Sequence, residues 1–159
     1  MIAWLIESVA GRFLTTFLIS MVPVIELRGG LPYGITLGLP YPLALTAAVL
    51  GNMLPVPFII VYIQRIFAWL RRIWAKFDGM VSSLERRADR KGDKVRRYGL
   101  LGLVILVAIP LPGTGAWTGA LVAALLKMKL KDAVPAIFLG VLIAAAIMTA
   151  ITFGVIHLT

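Results

Sequence analysis

Apolar residues in the first half of the chain form a short stretch and a long one, separated by helix breakers. Residues 13–25 carry no charge, residues 29–38 contain four glycines and a proline, and residues 41–64 form an apolar stretch of 24 residues. A helix rises about 1.5 Å per residue, and the hydrocarbon core of a bilayer is roughly 30 Å thick. The long stretch therefore predicts a transmembrane helix, whereas the 13 residues of the short stretch are too few to cross.

The second half of the chain has the same order of elements. Residues 100–109 and 116–126 are short apolar stretches on either side of the breaker cluster "PLPGTG", and residues 133–157 form a long one of 25 residues. Duplicated units with interrupted helices are a known architecture of membrane transporters. Short matching motifs also link the halves: Gly30-x-x-x-Gly34 with Gly115-x-x-x-Gly119, and "TAAVLG" (46–51) with "PAIFLG" (135–140).

Basic residues are concentrated in two segments, and their positions bear on the topology. Eleven of the sixteen Lys and Arg residues lie in 65–97, and three more lie in 127–131. If the interrupted segments crossed the membrane, these two basic segments would face opposite sides. If each interrupted segment is a re-entrant hairpin, both face the same side, and basic residues normally mark the cytoplasmic side. The charge distribution therefore favours hairpins.

These patterns predict an all-α integral membrane protein built from two inverted repeats. Each repeat is a re-entrant helical hairpin followed by a transmembrane helix, and a basic amphipathic cytoplasmic helix joins the two. We expect a single membrane domain, 1–159, in the cytoplasmic membrane. It divides into an interfacial helix (1–12), repeat 1 (13–64), a cytoplasmic connector (65–97) and repeat 2 (98–159).

Composition narrows the possible functions. The chain is 60% hydrophobic, with a mean hydropathy of +0.97, which is above the range of soluble domains. Its net charge of +9 comes mainly from the membrane-flanking segments, so we do not expect a nucleic-acid partner. The absence of cysteine excludes disulfides and thiolate metal sites, and His157 is the only histidine. The sequence shows no nucleophile–base pair and no carboxylate pair, so we predict neither an enzyme nor a cofactor.

Glu26 and Arg28 are two charged residues inside an otherwise apolar region, "PVIELRGGLP". In the hairpin topology they lie at the turn of the first hairpin, near the middle of the membrane. Charges at that depth are costly and usually mark a functional site. Arg28 can bind a phosphate or carboxylate through two N–H groups. Glu26 can hold Arg28 in place or carry a proton. A purely structural role, in which the pair bonds hairpin backbone groups, remains an alternative.

The turn of the second hairpin is predicted to meet the first. Its glycines, together with the start of the following helix, can offer backbone N–H groups to an anion. The candidate substrate-binding residues are therefore Glu26, Arg28, Gly29, Gly30, Pro112, Gly113, Thr114 and Gly115.

At "ELRGGLP" and "PLPGTGAWTG" the chain resembles the small bacterial and archaeal membrane proteins named small multidrug export proteins, relatives of the DedA superfamily. The resemblance covers about residues 13–157. The superfamily includes carriers of undecaprenyl phosphate and scramblases of phospholipids, so the resemblance implies a lipid-related transporter. The matching positions would be Glu26 and Arg28 at the first turn, and Pro112 and Gly113 at the second.

The chain departs from the DedA pattern at the second turn. DedA proteins resemble R-x-x-P-G-x-R there, and this chain has Ile109 and Gly115 at the two arginine positions. Either Arg28 takes over the role of binding phosphate, or the substrate is a different one.

Three functional classes follow from these observations. The first is a flippase-type carrier of an anionic lipid, such as undecaprenyl phosphate, across the cytoplasmic membrane. The second is a proton-coupled multidrug exporter that uses Glu26. The third is a membrane scaffold without a ligand. We expect a lipid or lipid-phosphate partner, coupling to protons under the second class, and a homodimer that buries the hairpins.

Overall fold

The computed structural model describes residues 8–73, 79, 81–83, 86–87, 90, 98–111 and 113–158. These residues contain helices and no strand. Most of the predicted connector, Pro112 and most of the predicted interfacial helix lie outside the described residues. In chain order the helices are α1 (Val9–Met21), α2 (Glu26–Thr36), α3 (Tyr41–Met53), α4 (Pro55–Ile73), α5 (Leu100–Ala108), α6 (Ala116–Leu125) and α7 (Leu130–Leu158).

Two helical segments are long and apolar enough to cross a membrane: Tyr41–Ile63, formed by α3 and the start of α4, and Leu130–Val155 of α7. This confirms the prediction of an all-helical protein with two long apolar helices. α3 and α4 meet at Leu54, which keeps helical dihedral angles (φ −57°, ψ −44°). Pro55 and Pro57 lack the N–H groups that would continue the hydrogen-bond ladder, so the helix is interrupted there. α4 then continues to Ile73, past the predicted start of the connector.

α1 and α2 form a tight antiparallel pair through small residues. A Cβ atom on Gly30 would lie 1.8 Å from Ser20 Oγ, and one on Gly34 would lie 2.7 Å from Thr16 Oγ1. The two hydroxyl groups donate to carbonyls of their own helix, at 2.8 Å each, so they add no unpaired polar group to the contact. Small residues at this spacing let helices approach closely in lipid. The Gly30-x-x-x-Gly34 motif therefore packs this pair together.

α5 and α6 form the corresponding pair in the second half. A Cβ atom on Gly119 of α6 would lie 2.5 Å from Val107 of α5. The long helices show the same close approach. A Cβ atom on Gly51 of α3 would lie 2.2 Å from the backbone of Phe17, and one on Gly140 of α7 would lie 2.7 Å from Val107. In both halves a glycine on the long helix lets the first short helix pack against it.

α2 and α6 end in the same way. After α2, the Gly38 N–H donates to Ile35 and the Leu39 N–H donates to Gly34. After α6, the Lys127 N–H donates to Ala124 and the Met128 N–H donates to Ala123. Gly38 and Lys127 both have a positive φ, 75° and 52°. These are two copies of the Schellman helix ending.

This correspondence changes the alignment of the glycine motifs. The same number of residues separates Gly38 from Lys127 and Gly51 from Gly140. At that offset Gly30 aligns with Gly119, and Glu26 aligns with Gly115. The predicted pairing of Gly30 with Gly115 is four residues out of this register, because the spacing of small residues repeats once per helical turn and cannot fix which turn is equivalent.

The two halves pack through their second short helices. α2 contacts α7 and α6 contacts α4, so each half places one short helix against the long helix of the other. Their shared core holds Leu27 and Leu31 from the first half, with Leu103, Ile137 and Val141 from the second. This packing brings the start of α2 next to the start of α6.

Candidate functional site

The site forms where two turns of the chain meet. We call residues 22–28 the first tip, which joins α1 to α2, and residues 109–115 the second tip, which joins α5 to α6. Side chains of the first tip bond two carbonyls and the Thr114 hydroxyl of the second tip, and a backbone N–H at the start of α6. The two charged residues predicted as a site, Glu26 and Arg28, make these bonds.

Glu26 caps helix α6 from the opposite half of the protein. Its side chain is 4% exposed, and its Oε1 accepts a hydrogen bond of 3.1 Å from the backbone N–H of Trp117. The first N–H groups of a helix have no partner within the helix, and they carry the positive end of its dipole. Gly115, the residue before α6, has no side chain to supply a cap. The Glu26 carboxylate fills this role.

Gly115 is required by the position of Glu26. A Cβ atom on Gly115 would lie 2.0 Å from Glu26 Oε2, and Gly115 has a φ of 126°. Both the clash and the backbone conformation exclude residues with a side chain. An arginine at position 115 would not fit beside Glu26 in its present position.

Arg28 binds the end of helix α5. Its Nη1 donates to the carbonyl of Leu111, and its Nη2 donates to the carbonyl of Ile109 at 3.0 Å and to Thr114 Oγ1 at 2.8 Å. The last carbonyls of a helix carry the negative end of its dipole and need donors. The guanidinium therefore complements α5 as the carboxylate of Glu26 complements α6.

Thr114 connects the second tip internally. Its Oγ1 lies 2.7 Å from the carbonyl oxygens of both Ile109 and Leu111, and it accepts from Arg28. A hydroxyl has a single proton, so it donates to one of these carbonyls at a time. Thr114 thus holds the tip in the shape that presents the two carbonyls to Arg28.

A cavity of about 490 Å³ opens beside the joined tips. Its polar end is formed by Glu26, Arg28, Thr114 and Thr118. Its walls are apolar, with Ile59, Ile63 and Phe67 on the α4 side and Trp117 and Leu121 on the α6 side. Cavities with mostly apolar walls and a few converging polar groups are typical of small-molecule sites.

The structure brings together five of the eight predicted residues. Glu26, Arg28, Gly113 and Thr114 line the cavity, and Gly115 lies directly behind Glu26. Gly29 and Gly30 face other neighbours, since Cβ atoms there would meet Ile25 and Ser20 respectively. Pro112 lies outside the described residues.

Sequence reasoning did not find the α4 wall of the cavity. Ile59, Ile63 and Phe67 follow each other at intervals of four, which is the signal of one helix face. The sequence contains this pattern, but the neighbouring residues of the same helix are also apolar. Hydrophobicity therefore cannot distinguish the face toward the cavity from the other faces. The hydrogen bond from the backbone N–H of Trp117 could not be predicted either, because backbone groups carry no sequence signature.

Comparison with known proteins gives one result. A family model described as "Putative small multi-drug export protein" matches residues 26–147. No curated protein and no solved structure matches the chain. The wider relation to the DedA superfamily stays a prediction. Because the match begins at Glu26, contains both charged residues and the whole second tip, and covers most of the chain, this protein belongs to the putative small multi-drug export protein family.

Proposed function

We propose that this protein is an integral membrane transporter, with α1–α2 and α5–α6 as re-entrant hairpins in two inverted repeats. These four helices have 13, 11, 9 and 10 residues. At about 1.5 Å per residue each reaches at most about 20 Å, too short for a roughly 30 Å hydrocarbon core. The reciprocal packing of α2 on α7 and of α6 on α4 supports a two-fold relation between the halves.

The observation that carries the proposal is the cavity at the joined tips. It presents a guanidinium, a carboxylate and two hydroxyls at one end of an apolar-walled space. Backbone turns at the depth of the hydrocarbon core are tolerated where they are buried or line a wet cavity. This arrangement suits an amphipathic substrate with a polar head against the tips and an apolar body against α4.

An anionic head group is the favoured ligand of the polar end. A guanidinium has five N–H donors, and within the described part of the chain Arg28 directs three of them at the second tip. Two donors are left for a phosphate or carboxylate in the cavity. The resemblance to lipid carriers suggests undecaprenyl phosphate as the substrate, moved across the cytoplasmic membrane.

Glu26 favours a second candidate function, proton-coupled export of cationic drugs, which the description of the family also suggests. The carboxylate lines the cavity but is 4% exposed, so it can bind a cation or a proton with little competition from water. This function needs the charge of Glu26 and tolerates loss of the charge of Arg28. Transport of an anion has the opposite requirement.

A reconstituted assay separates the two functions. Vesicles containing the protein and a labelled polyprenyl phosphate are exposed to a membrane-impermeant phosphatase, and parallel vesicles are tested for proton-driven export of a fluorescent cation. Arg28→Gln should abolish movement of the lipid phosphate, and Arg12→Gln is the matched control, because Arg12 bonds Gly38 at the far end of the first hairpin. Loss of cation export in Glu26→Gln, with normal export in Arg28→Gln, would replace the first function by the second.

The topology has its own test. The chain contains no cysteine, so single cysteines at Gly92 and Lys129 can be labelled from either side of oriented vesicles. We propose that both sites are cytoplasmic and react from the same side. Labelling from opposite sides would exclude the re-entrant hairpins. A homodimer that covers the hairpins is part of the proposal, and cross-linking in membranes tests it.

A further inference from the structure

Asn52 is a buried polar side chain that the site described above does not use. It belongs to α3 and is 3% exposed, and its Oδ1 has no hydrogen-bond partner among the described residues. The other buried polar side chains are paired: Thr16 and Ser20 with carbonyls of α1, and Glu26 with the N–H of Trp117. An unpaired buried carbonyl destabilises a fold, so a retained one needs a reason.

Asn52 shares a small inner space with Glu26. The space is also lined by Leu27, Arg28, Val107, Gly115, Ala116, Val141 and Ala144. Its free volume is 0 Å³ for a water-sized molecule, and a water needs at least roughly 10 Å³ of such volume. A bridging water therefore does not fit. A partner for Asn52 Oδ1 therefore has to be a group of the protein that lines the space.

Position 52 is also unusual within the repeat. In the register set by Gly51 and Gly140, its counterpart in the second half is Val141, which lines the same inner space. A valine fills the equivalent position without any polar group. Packing alone therefore does not require an amide at position 52.

Of the groups around the inner space, the Glu26 carboxyl is the one whose donors change. Arg28 keeps the same five N–H donors throughout; three bond the second tip, and none reaches Asn52 Oδ1. The Trp117 N–H is directed at Glu26 itself. A protonated carboxyl group has an O–H donor, which an ionised one lacks. Among the described residues, Glu26 and Arg28 are the charged groups that line the inner space and the cavity.

We propose that Asn52 Oδ1 accepts a hydrogen bond from the protonated carboxyl group of Glu26, so that Asn52 is a positioning residue for a proton carried by Glu26. The proton enters from the cavity, binds a carboxylate oxygen and is donated to Asn52. Neutralising Glu26 weakens its bond to the N-terminus of α6, because that bond is assisted by charge. Proton binding and the contact between the tips are thereby coupled. This inference rests on the proposed function of Glu26 in transport.

Infrared titration of the protein in lipid nanodiscs tests the inference without a transport assay. Glutamate is labelled with ¹³C at the carboxyl group, and the band of the protonated acid that disappears in Glu26→Gln is followed against pH. Asn52→Val, which copies the residue at the equivalent position of the second half, should lower the midpoint of this band by about one pH unit, a tenfold change in proton concentration. The direction follows because the variant removes an acceptor that stabilises the protonated form.

Controls keep the test decisive. Thr149→Val changes a half-buried hydroxyl that bonds Tyr41, away from the inner space, and should leave the midpoint unchanged. Asn52→Ser keeps an oxygen acceptor and should titrate closer to the wild type than Asn52→Val does. If Asn52→Val does not fold, Asn52→Leu is measured instead, because leucine is closer to asparagine in shape.

An unchanged or raised midpoint in the apolar variant, or equal midpoints for the Ser and Val variants, would overturn the role of Asn52. Failure of the proposed function is distinguishable from this result. A protein that shows the expected shift but moves no substrate keeps the Glu26–Asn52 pair and loses the transport proposal.

Discussion

The two tips occupy equivalent places in the two halves, yet their chemistry is opposite. The first tip supplies side-chain charges, Glu26 and Arg28, and the second supplies backbone groups and the hydroxyl of Thr114. At equivalent positions Glu26 and Gly115 both have a positive φ, 50° and 126°. In one half that position holds the charge, and in the other it holds the glycine that makes room for it. The comparison teaches that two turns with similar backbone conformation can have different side-chain chemistry.

The tips also differ in where backbone strain is placed. In the second tip the left-handed positions are glycines, Gly113 and Gly115. In the first tip they are Val24 (φ 80°) and Glu26, and a left-handed residue with a Cβ costs about 1–2 kcal/mol. Charge-assisted hydrogen bonds contribute about 1.5–3 kcal/mol each. The bonds of Glu26 and Arg28 to the second tip are therefore large enough to hold the first tip in its strained conformation.

The largest effect is expected from Gly115→Ala. The added Cβ would lie 2.0 Å from Glu26 Oε2 at a φ of 126°, so the carboxylate must leave the end of α6. We expect a loss of about 3 kcal/mol or more in unfolding free energy, measured by denaturation in detergent. Gly113→Ala, with a φ of 77°, is the control and should cost about 1–2 kcal/mol. Equal stabilities for the two variants would contradict the trans cap on α6.

The next effect concerns the charged pair. Arg28→Ala removes the donors to the end of α5 and should cost about 2–4 kcal/mol and abolish transport. Glu26→Gln keeps an oxygen that can accept from Trp117 and should cost about 1 kcal/mol. Because the two charges also attract each other at the joined tips, the double variant Glu26→Gln with Arg28→Ala should cost at least about 0.5 kcal/mol less than the sum of the single variants. A double variant that recovers full stability and activity would mean that the two charges serve mainly to neutralise each other.

Thr114→Val should have a smaller effect. The valine keeps the shape of threonine but loses the hydroxyl that bonds the Ile109 and Leu111 carbonyls and accepts from Arg28. We expect a loss of about 1–2 kcal/mol and a weaker affinity for the substrate. Thr118→Val removes a single bond, to the Gly113 carbonyl, and serves as the control. The role of Thr114 as the connector of the second tip fails if the two variants are equally stable.

The smallest effect should be a gain. Val24 is 96% exposed and has a φ of 80°, so Val24→Gly removes strain without removing packing. We expect about 1 kcal/mol of added stability, reduced by the greater entropy of glycine in the unfolded chain. Val22→Gly is the matched control, since Val22 has an ordinary φ of −70° and should lose stability. A loss in both variants would show that the first tip is not strained at Val24.

Part of the site could be predicted from the sequence alone. Glu26 and Arg28 stand out because charge is rare in apolar stretches, and Gly113 and Gly115 stand out as breakers between two short ones. The contact between the two tips was predicted from the repeated order of elements. The hydrogen-bond partners of Glu26 and Arg28 could not be predicted in the same way. A cap on α6 by Glu26 depends on a backbone N–H, and every residue except proline carries one.

The sequence by itself determined the helical class, the two long apolar helices and the position of both tips, because apolar length and helix breakers act locally along the chain. The tertiary structure decided the rest. It set the register of the repeat at Glu26 and Gly115, formed the cavity wall from α4, and placed Asn52 beside Glu26. These features depend on which turn of one helix faces which turn of another. Small residues recur at nearly every turn here, so only three-dimensional packing distinguishes one register from the next.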